Sequence, residues 1–191
     1  MDTSFSPADR PAGYPAELEL PLNLKDGRGV NIRPVVPDDA GRLGEEVERA
    51  DADTIYQRFF RNPVRLDAAT LDHLTRLDYR ERLAVAAFSA DGEGVAIARY
   101  ETVEPGCAEV AIVVKPEWRR AGLGSALLDL LERAAIARGV TRFMAVYLPA
   151  NERIVALLGS VGFTIDGVAG GLGQASKQLV DAPPRSDGTV L

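Results

Sequence analysis

Apolar and polar residues form the clearest pattern of the chain between residues 109 and 139. A mostly apolar run over 109–114 predicts a buried strand, and Pro116 ends it. Beyond two glycines, apolar residues return at helical spacing on one face: Leu127, Leu128, Leu131, Ala134 and Ala135. Charged residues occupy the opposite face, and Arg138-Gly139 is a helix-ending signal. The pattern therefore predicts a strand, a tight turn and an amphipathic helix.

The same reasoning predicts the other elements. Strands are predicted at 17–22, 30–34, 83–89, 95–102, 142–148, 163–165 and 175–180. Helices are predicted at 38–49, 52–60, 67–77 and 151–161. The first half of the chain is predicted to be rich in hairpins, and the second half to alternate strand, helix, strand, helix and strand. We therefore predict an α+β fold with a mixed central sheet flanked by helices, rather than a doubly wound one.

Length and proline content divide the chain into one domain and two tails. The chain has 191 residues, which suits one domain with a sizeable core. Proline-rich residues 1–16 predict a flexible leader, and residues 181–191 predict a disordered tail. The domain itself is predicted to span 17–180.

Composition narrows the classes of partner. The net charge of −6 argues against nucleic acid, because phosphate backbones are bound by basic faces. An acidic surface instead suits a cationic partner such as an amine or a lysine-rich protein. No apolar run approaches the roughly 20 residues that span a bilayer, and the N-terminus lacks the pattern of a signal peptide. We expect a cytoplasmic protein that does not associate with membranes.

Single copies of cysteine and histidine limit the possible chemistry. Cys107 is the only cysteine and His73 the only histidine, which argues against a disulfide framework, a cysteine-based zinc site and any metal. We expect both residues to be structural.

The turn before the predicted helix has the features of an anion-binding loop. Its sequence is Arg119-Arg120-Ala121-Gly122-Leu123-Gly124-Ser125. The glycines let the backbone approach a phosphate, and the N–H groups of Ala121, Leu123, Gly124 and Ser125 can point at it. No lysine follows Gly124, so a Walker loop is excluded, and Leu127 replaces the third glycine of a dinucleotide fingerprint. The alternative is an ordinary glycine-rich start of a helix beside two solvated arginines.

Val114-x-Pro116-x-x-Arg119-Arg120-x-Gly122-Leu123-Gly124 resembles the acyl-CoA pyrophosphate loop of the GNAT acetyltransferase superfamily. The segment from Asn151 to Leu158, ending in Gly162-Phe163, resembles the closing segment of that superfamily. Tyr56-x-Arg58-Phe59-Phe60 and Leu77-Asp78-Tyr79 are similar to bacterial protein lysine acetyltransferases. The resemblance implies a GNAT-type fold and direct transfer of an acetyl group from acetyl-CoA to a primary amine, with a protein lysine preferred. A small amine or antibiotic acceptor, and a non-catalytic acyl-CoA-binding sensor, remain alternatives.

The resemblance also implies roles for single residues. Arg119 and Arg120 would pair with phosphate oxygens. The strand residues Ile112, Val113 and Val114 would pair through their backbone with the pantetheine arm. Asn151 would contact the coenzyme, although its position equally suits a helix N-cap.

Amine acetylation needs a base, and Glu109 is the best candidate. It is a lone carboxylate at the start of an apolar strand, where partial desolvation would raise its pKa, and it matches a catalytic glutamate of the subfamily. An exposed carboxylate without a role is the alternative, and Glu101 and Glu104 are weaker candidates. Leu158 stands where many of these enzymes have a tyrosine that protonates the thiolate, so Tyr79, Tyr147 or water would have to replace it.

Overall fold

A computed structural model describes residues 10–49 and 66–179, which form one mixed sheet flanked by helices. The strands are β1 (Leu20–Asn23), β2 (Gly29–Pro34), β3 (Arg82–Ser89), β4 (Gly94–Glu104), β5 (Cys107–Val114), β6 (Arg142–Tyr147), β7 (Thr164–Ala169) and β8 (Leu172–Gln178). The helices are α1 (Ala40–Arg49), α2 (Ala68–Thr75), α3 (Leu123–Ile136) and α4 (Glu152–Ser160), and short 3-10 turns lie at Ala16–Leu18, Pro37–Asp39 and Pro116–Trp118. The predicted α+β class with a mixed sheet is confirmed.

The sheet has the order β1-β2-β3-β4-β5-β6-β8-β7. Every neighbouring pair is antiparallel except β5 and β6, which are parallel. The crossover between these two strands carries α3, as a parallel connection requires. The mixed character of the sheet therefore arises at one position, in its middle.

The two faces of the sheet carry different helices. A Cβ added to Gly124 of α3 would lie 3.7 Å from Ile112 Cδ1, which places α3 on the face of the even-numbered residues of β5. On the other face, Glu109 of β5 opposes Glu101 of β4, and His73 of α2 contacts Glu101. Helix α2 therefore lies on the face of the odd-numbered residues of β5.

The core lies between the sheet and α3. The apolar face predicted for α3 is confirmed, since all five of its predicted residues are 4% exposed or less. Tyr100 of β4 and Phe143 of β6 extend the core across the sheet, with ring centroids 5.9 Å apart.

The four helices of the described residues all lack the length and hydrophobicity that a membrane span requires.

Several predicted boundaries differ from the structure. The first strand begins at Leu20, because Ala16–Leu18 forms a 3-10 turn. The last two strands form a hairpin whose turn, Gly170-Gly171, has φ angles of +58° and +81°. This left-handed turn joins longer strands than the sequence predicted.

The structure describes only part of the predicted leader. Residues 10–16 contact the domain, whereas a loose leader was predicted: Arg10 pairs with Glu19 at 2.8 Å, and Tyr14 packs edge-on against Tyr79. The predicted helix 52–60, with its motif at Tyr56–Phe60, and the predicted tail 181–191 lie outside the described residues.

A buried ion pair joins the end of β2 to the start of α1. Arg33 Nη1 and Nη2 donate to Asp39 Oδ2 and Oδ1 at 2.8 and 2.7 Å, and the backbone N–H of Val36 donates to Asp39 Oδ2 at 2.9 Å. Both side chains are largely buried, and the guanidinium lies 4.3 Å from the centroid of the Phe88 ring. Asp39 thus compensates a buried charge.

We expect Asp39→Ala to lower the free energy of unfolding by about 3–5 kcal/mol, because the arginine is left buried without its carboxylate. Urea denaturation measures the loss. The exposed i,i+4 pair between Asp72 and Arg76 provides the control, and Asp72→Ala should cost about 0.5 kcal/mol or less. Equal effects of the two substitutions would contradict this account of the buried pair.

Candidate active site

An open cleft lies in the middle of the sheet where β5 and β6 separate. The two strands pair only at Cys107–Glu109 with Arg142–Met144. Beyond Glu109, β5 stays paired with β4 as far as Val114. In β5, the N–H and C=O groups of alternate residues bond to β4. The N–H and C=O groups of the residues in between point to the other side, which beyond Glu109 is the cleft. The cleft has a volume of about 830 Å³ and is lined by 110–114 of β5 and 145–147 of β6.

The loop predicted to bind an anion lies at the mouth of this cleft. Two of its residues are left-handed, Arg120 at φ +64° and Gly122 at φ +89°, and Gly122 is the N-cap of α3. The first helical bond runs from Ala126 N–H to Gly122 O at 3.1 Å. The N–H groups of Leu123, Gly124 and Ser125 precede that bond, and within the described part of the chain they have no partner. The loop therefore presents several N–H groups at the positive end of a helix.

Gly124 has a packing role that the sequence did not reveal. A Cβ at this position would lie 3.2 Å from Leu157 Cδ2 of α4. Since this is tighter than ordinary contact, the glycine lets α4 approach the start of α3. The close approach brings α4 to the wall of the cleft.

The two arginines of the loop differ in their surroundings. Arg119 Nε donates to the carbonyl of Val114 at 2.9 Å, so this side chain fastens the loop to the end of β5. Arg120 is exposed and lines the cleft. Phosphate pairing was predicted for both; the geometry gives Arg119 an additional structural role.

Asn151 lies on the opposite wall as the N-cap of α4. Its Oδ1 accepts the N–H of Ile154 at 3.2 Å, which confirms the predicted cap. The residue also lines the cleft. Capping and contact with a ligand are thus compatible at this position.

Glu109 lies at the apex of the cleft, where the pairing of β5 and β6 ends. It is exposed, so the partial desolvation predicted for it is wrong. The error arises because Glu109 is on the opposite face of β5 from its buried neighbours Ala108 and Val110. Glu101 opposes it on the same face, which gives two adjacent carboxylates.

The second carboxylate, Glu101, has hydrogen-bond partners on two neighbouring side chains. Glu101 Oε2 lies 3.1 Å from His73 Nε2 and 3.3 Å from Arg99 Nη2. His73 Nδ1 in turn lies 3.1 Å from Arg82 Nη1. Both ring nitrogens of His73 therefore have a hydrogen-bond partner, and its predicted structural role stays a prediction. The third candidate, Glu104, pairs with Arg142 at 2.8 Å.

The structure separates the two predicted tyrosine donors. The Tyr79 hydroxyl donates to the Val35 carbonyl at 3.0 Å, and burial raises the pKa of Tyr79 to about 12. Tyr79 is not among the residues that line the cleft, so the prediction for it is wrong. Tyr147 does line the cleft, and Leu158 is 1% exposed and packs in the core.

Two cations of the cleft were missed in the sequence. Lys25 comes from the β1–β2 turn and Arg153 from α4, and both line the cleft. Arg153 lies in the segment that resembles the closing motif, but the resemblance gives it no role, and Lys25 reaches the site through tertiary packing. The described residues also outline a second cavity of about 540 Å³, which shares Ala111 and Val113 of β5 with the cleft.

Comparison with known proteins gives consistent matches. The model of the acetyltransferase (GNAT) family matches residues 49–163. Acetyltransferase Pat of Mycolicibacterium smegmatis is 32% identical over 173 residues, covering 86% of this chain and 49% of the relative, so the chain spans about half the length of that relative. An acetyltransferase of Pseudomonas aeruginosa is 32% identical over 145 residues, covering 74% of this chain and 78% of the relative.

A solved structure matches over most of the chain. The GNAT domain of S. lividans PAT has a TM-score of 0.81 and 32% identity, and the match covers 87% of this chain and 99% of that domain. The likeness therefore extends over most of the fold.

Tyr147 is held against the backbone of Gly173 on β8, where an added Cβ would lie 2.4 Å from the ring. We expect Gly173→Ala to displace the ring and to cost about 1–3 kcal/mol of unfolding free energy. Gly159 of α4 is a matched control, since nothing lies within 4 Å of its added Cβ. Gly159→Ala should leave stability unchanged or raise it by up to about 1 kcal/mol. Thermal denaturation of both variants tests the difference, and a tolerated alanine at 173 would contradict it.

Proposed function

The chain belongs to the acetyltransferase (GNAT) family, and from this premise we propose that it transfers an acetyl group from acetyl-CoA directly to a protein lysine. The family and the fold are those predicted from the loop. One observation carries the proposal: the separation of β5 and β6 creates a cleft with a helix N-terminus at its mouth and a carboxylate at its apex. This arrangement suits a long anionic thioester whose reactive end lies deep in the cleft.

In this proposal the loop holds the pyrophosphate of acetyl-CoA. The N–H groups of Ala121, Leu123, Gly124 and Ser125 would donate to phosphate oxygens, and Arg119 and Arg120 would supply charge. The free backbone edge of β5 at Ile112, Val113 and Val114 would pair with the pantetheine amides, as an added strand does. Asn151 would contact the same arm from the opposite wall.

The proposed reaction begins with removal of a proton from the acceptor ammonium. Glu109 would take this proton, directly or through water, since it is exposed at the apex. The neutral amine would then attack the thioester carbonyl carbon, while backbone N–H groups near Val113 stabilise the charge on the oxygen. As the C–S bond breaks, the thiolate would take a proton from Tyr147 or from water, and the nitrogen would release its second proton to that donor or to solvent, which leaves a neutral amide and free CoA thiol.

Charge supports a lysine as the acceptor. Glu101 and Glu109 lie side by side on the odd-numbered face of β5, and the chain has a net charge of −6. Glu101 already pairs with Arg99, so the carboxylate of Glu109, which has no ion pair among the described residues, and the net negative charge attract an ammonium group. The similarity to acetyltransferase Pat and the motifs shared with bacterial protein lysine acetyltransferases favour a protein over a small amine.

We expect Glu109→Gln to lower kcat about 10²- to 10⁴-fold with little change in the KM for acetyl-CoA, because the amide cannot accept the ammonium proton. The assay follows free thiol with lysine peptides, small amines and antibiotics as acceptors. Glu104→Gln is the control, since that carboxylate is paired with Arg142.

The acceptor panel also separates the alternatives. Turnover with small amines alone would replace the lysine proposal. Tight binding of acetyl-CoA without turnover on any acceptor would indicate a non-catalytic sensor. Full activity of Glu109→Gln would remove the assignment of the base.

A pair of glycine variants tests the loop. Gly122 and Gly139 have similar left-handed φ angles, +89° and +84°, so alanine at either should cost about 1–2 kcal/mol of stability. Only Gly122→Ala should also raise the KM for acetyl-CoA, about tenfold or more, because only Gly122 shapes the loop. Steady-state kinetics and denaturation provide the two readouts, and a parallel change in both variants would count against the loop assignment.

A further inference from the structure

We propose that Lys25 is a phosphate-binding residue of the acetyl-CoA site, supplied by the β1–β2 turn. The inference rests on the proposed function, because it requires acetyl-CoA in the cleft. It adds a cation from an N-terminal hairpin to a loop that lies almost a hundred positions further along the chain.

The β1–β2 turn is fixed against the loop and the residues before it by contacts of Lys25 and of Arg28. The backbone N–H of Lys25 donates to the carbonyl of Ala121 at 3.1 Å. Arg28 Nη2 donates to the carbonyl of Glu117 at 3.0 Å, and its guanidinium lies 4.1 Å from the centroid of the Trp118 ring. The turn is therefore part of the mouth of the cleft.

The side chain of Lys25 extends along the loop. A Cβ added to Gly122 would lie 3.5, 3.6 and 3.7 Å from Cε, Cγ and Cδ of Lys25, respectively. The aliphatic stem thus covers the N-cap of α3, and the ammonium is one bond beyond Cε. This places a positive charge near Gly122, the N-cap of α3, where the helix dipole already favours an anion.

Lys25 differs from the other two lysines of the chain in its partners. Lys115 pairs with Glu46 and Glu93, each at 2.6 Å, and Lys177 pairs with Glu132. Within residues 10–49 and 66–179, no acidic group pairs with Lys25. Its ammonium is exposed in the cleft of an acidic protein and available to a ligand.

Acetyl-CoA carries negative charge that matches the positive charge of Lys25. It carries a pyrophosphate and a 3′-phosphate, whose combined negative charge exceeds the positive charge of the helix N-terminus and of the two loop arginines, Arg119 and Arg120. Lysine binds phosphate as a point charge, so it does not need the planar geometry of an arginine. Both candidate partners are phosphate groups, so Lys25 can bind either the pyrophosphate or the 3′-phosphate.

Isothermal titration with CoA and with 3′-dephospho-CoA tests the proposal. We expect Lys25→Gln to raise the Kd for CoA about tenfold, and Lys25→Arg to restore most of the affinity, since it keeps the charge. Arg80→Gln is the matched control. Arg80 is exposed, it does not line the cleft, and its loss removes the same charge from the chain.

Each outcome of the titrations either supports or overturns the proposal. A loss for both ligands assigns Lys25 to the pyrophosphate, and a loss for CoA alone assigns it to the 3′-phosphate; both support the proposal. An unchanged Kd of Lys25→Gln for both ligands, or an equal loss in Arg80→Gln, overturns it. A wild-type protein that binds neither ligand would instead overturn the proposed function.

Discussion

The function of this chain depends on an interruption of backbone pairing inside a sheet. β5 and β6 are bonded over three residues and then separate, although both continue for several residues more. A strand edge in the middle of a sheet is unusual, because unpaired N–H and C=O groups are costly when buried. Here the edge faces an open cleft, where water or a ligand backbone can satisfy it.

The elements around the cleft keep it open. Helix α3 connects β5 to β6, and its N-terminal residues Gly124 and Ser125 line the cleft together with both strands. Arg119 holds the loop to the carbonyl of Val114 at the end of β5, and Gly124 lets α4 close against the other wall. The free strand edge, the helix N-terminus and the capped helix α4 therefore form one site.

Local features of the site could be predicted from the sequence. The loop, the amphipathic α3 and the Asn151 cap each depend on residues close together in the sequence. Short-range sterics and capping determine their conformation. The burial of Glu109 could not be predicted, because it depends on which face of β5 the residue occupies. Tyr79 was misplaced for a similar reason: its side chain is held by the Val35 carbonyl and the Tyr14 ring, and nearby sequence does not indicate these contacts.

Sequence patterns also could not predict the contribution of the first hairpin to the site. The turn at Lys25-Asp26-Gly27-Arg28 was identified as a turn, but nothing in it indicates what it touches. Its contacts with Ala121, Glu117 and Trp118 join segments far apart in the chain. Tertiary packing of this kind places residues that a motif search leaves out.

The stacking of Arg28 on Trp118 has a practical consequence for spectroscopy. Trp118 is the only tryptophan in the 191 residues, and it directly precedes the loop. Its indole emission therefore comes from a single position, at the mouth of the cleft and beneath a cation. The chain thus carries an intrinsic fluorophore that reports on the surroundings of this loop without any added label.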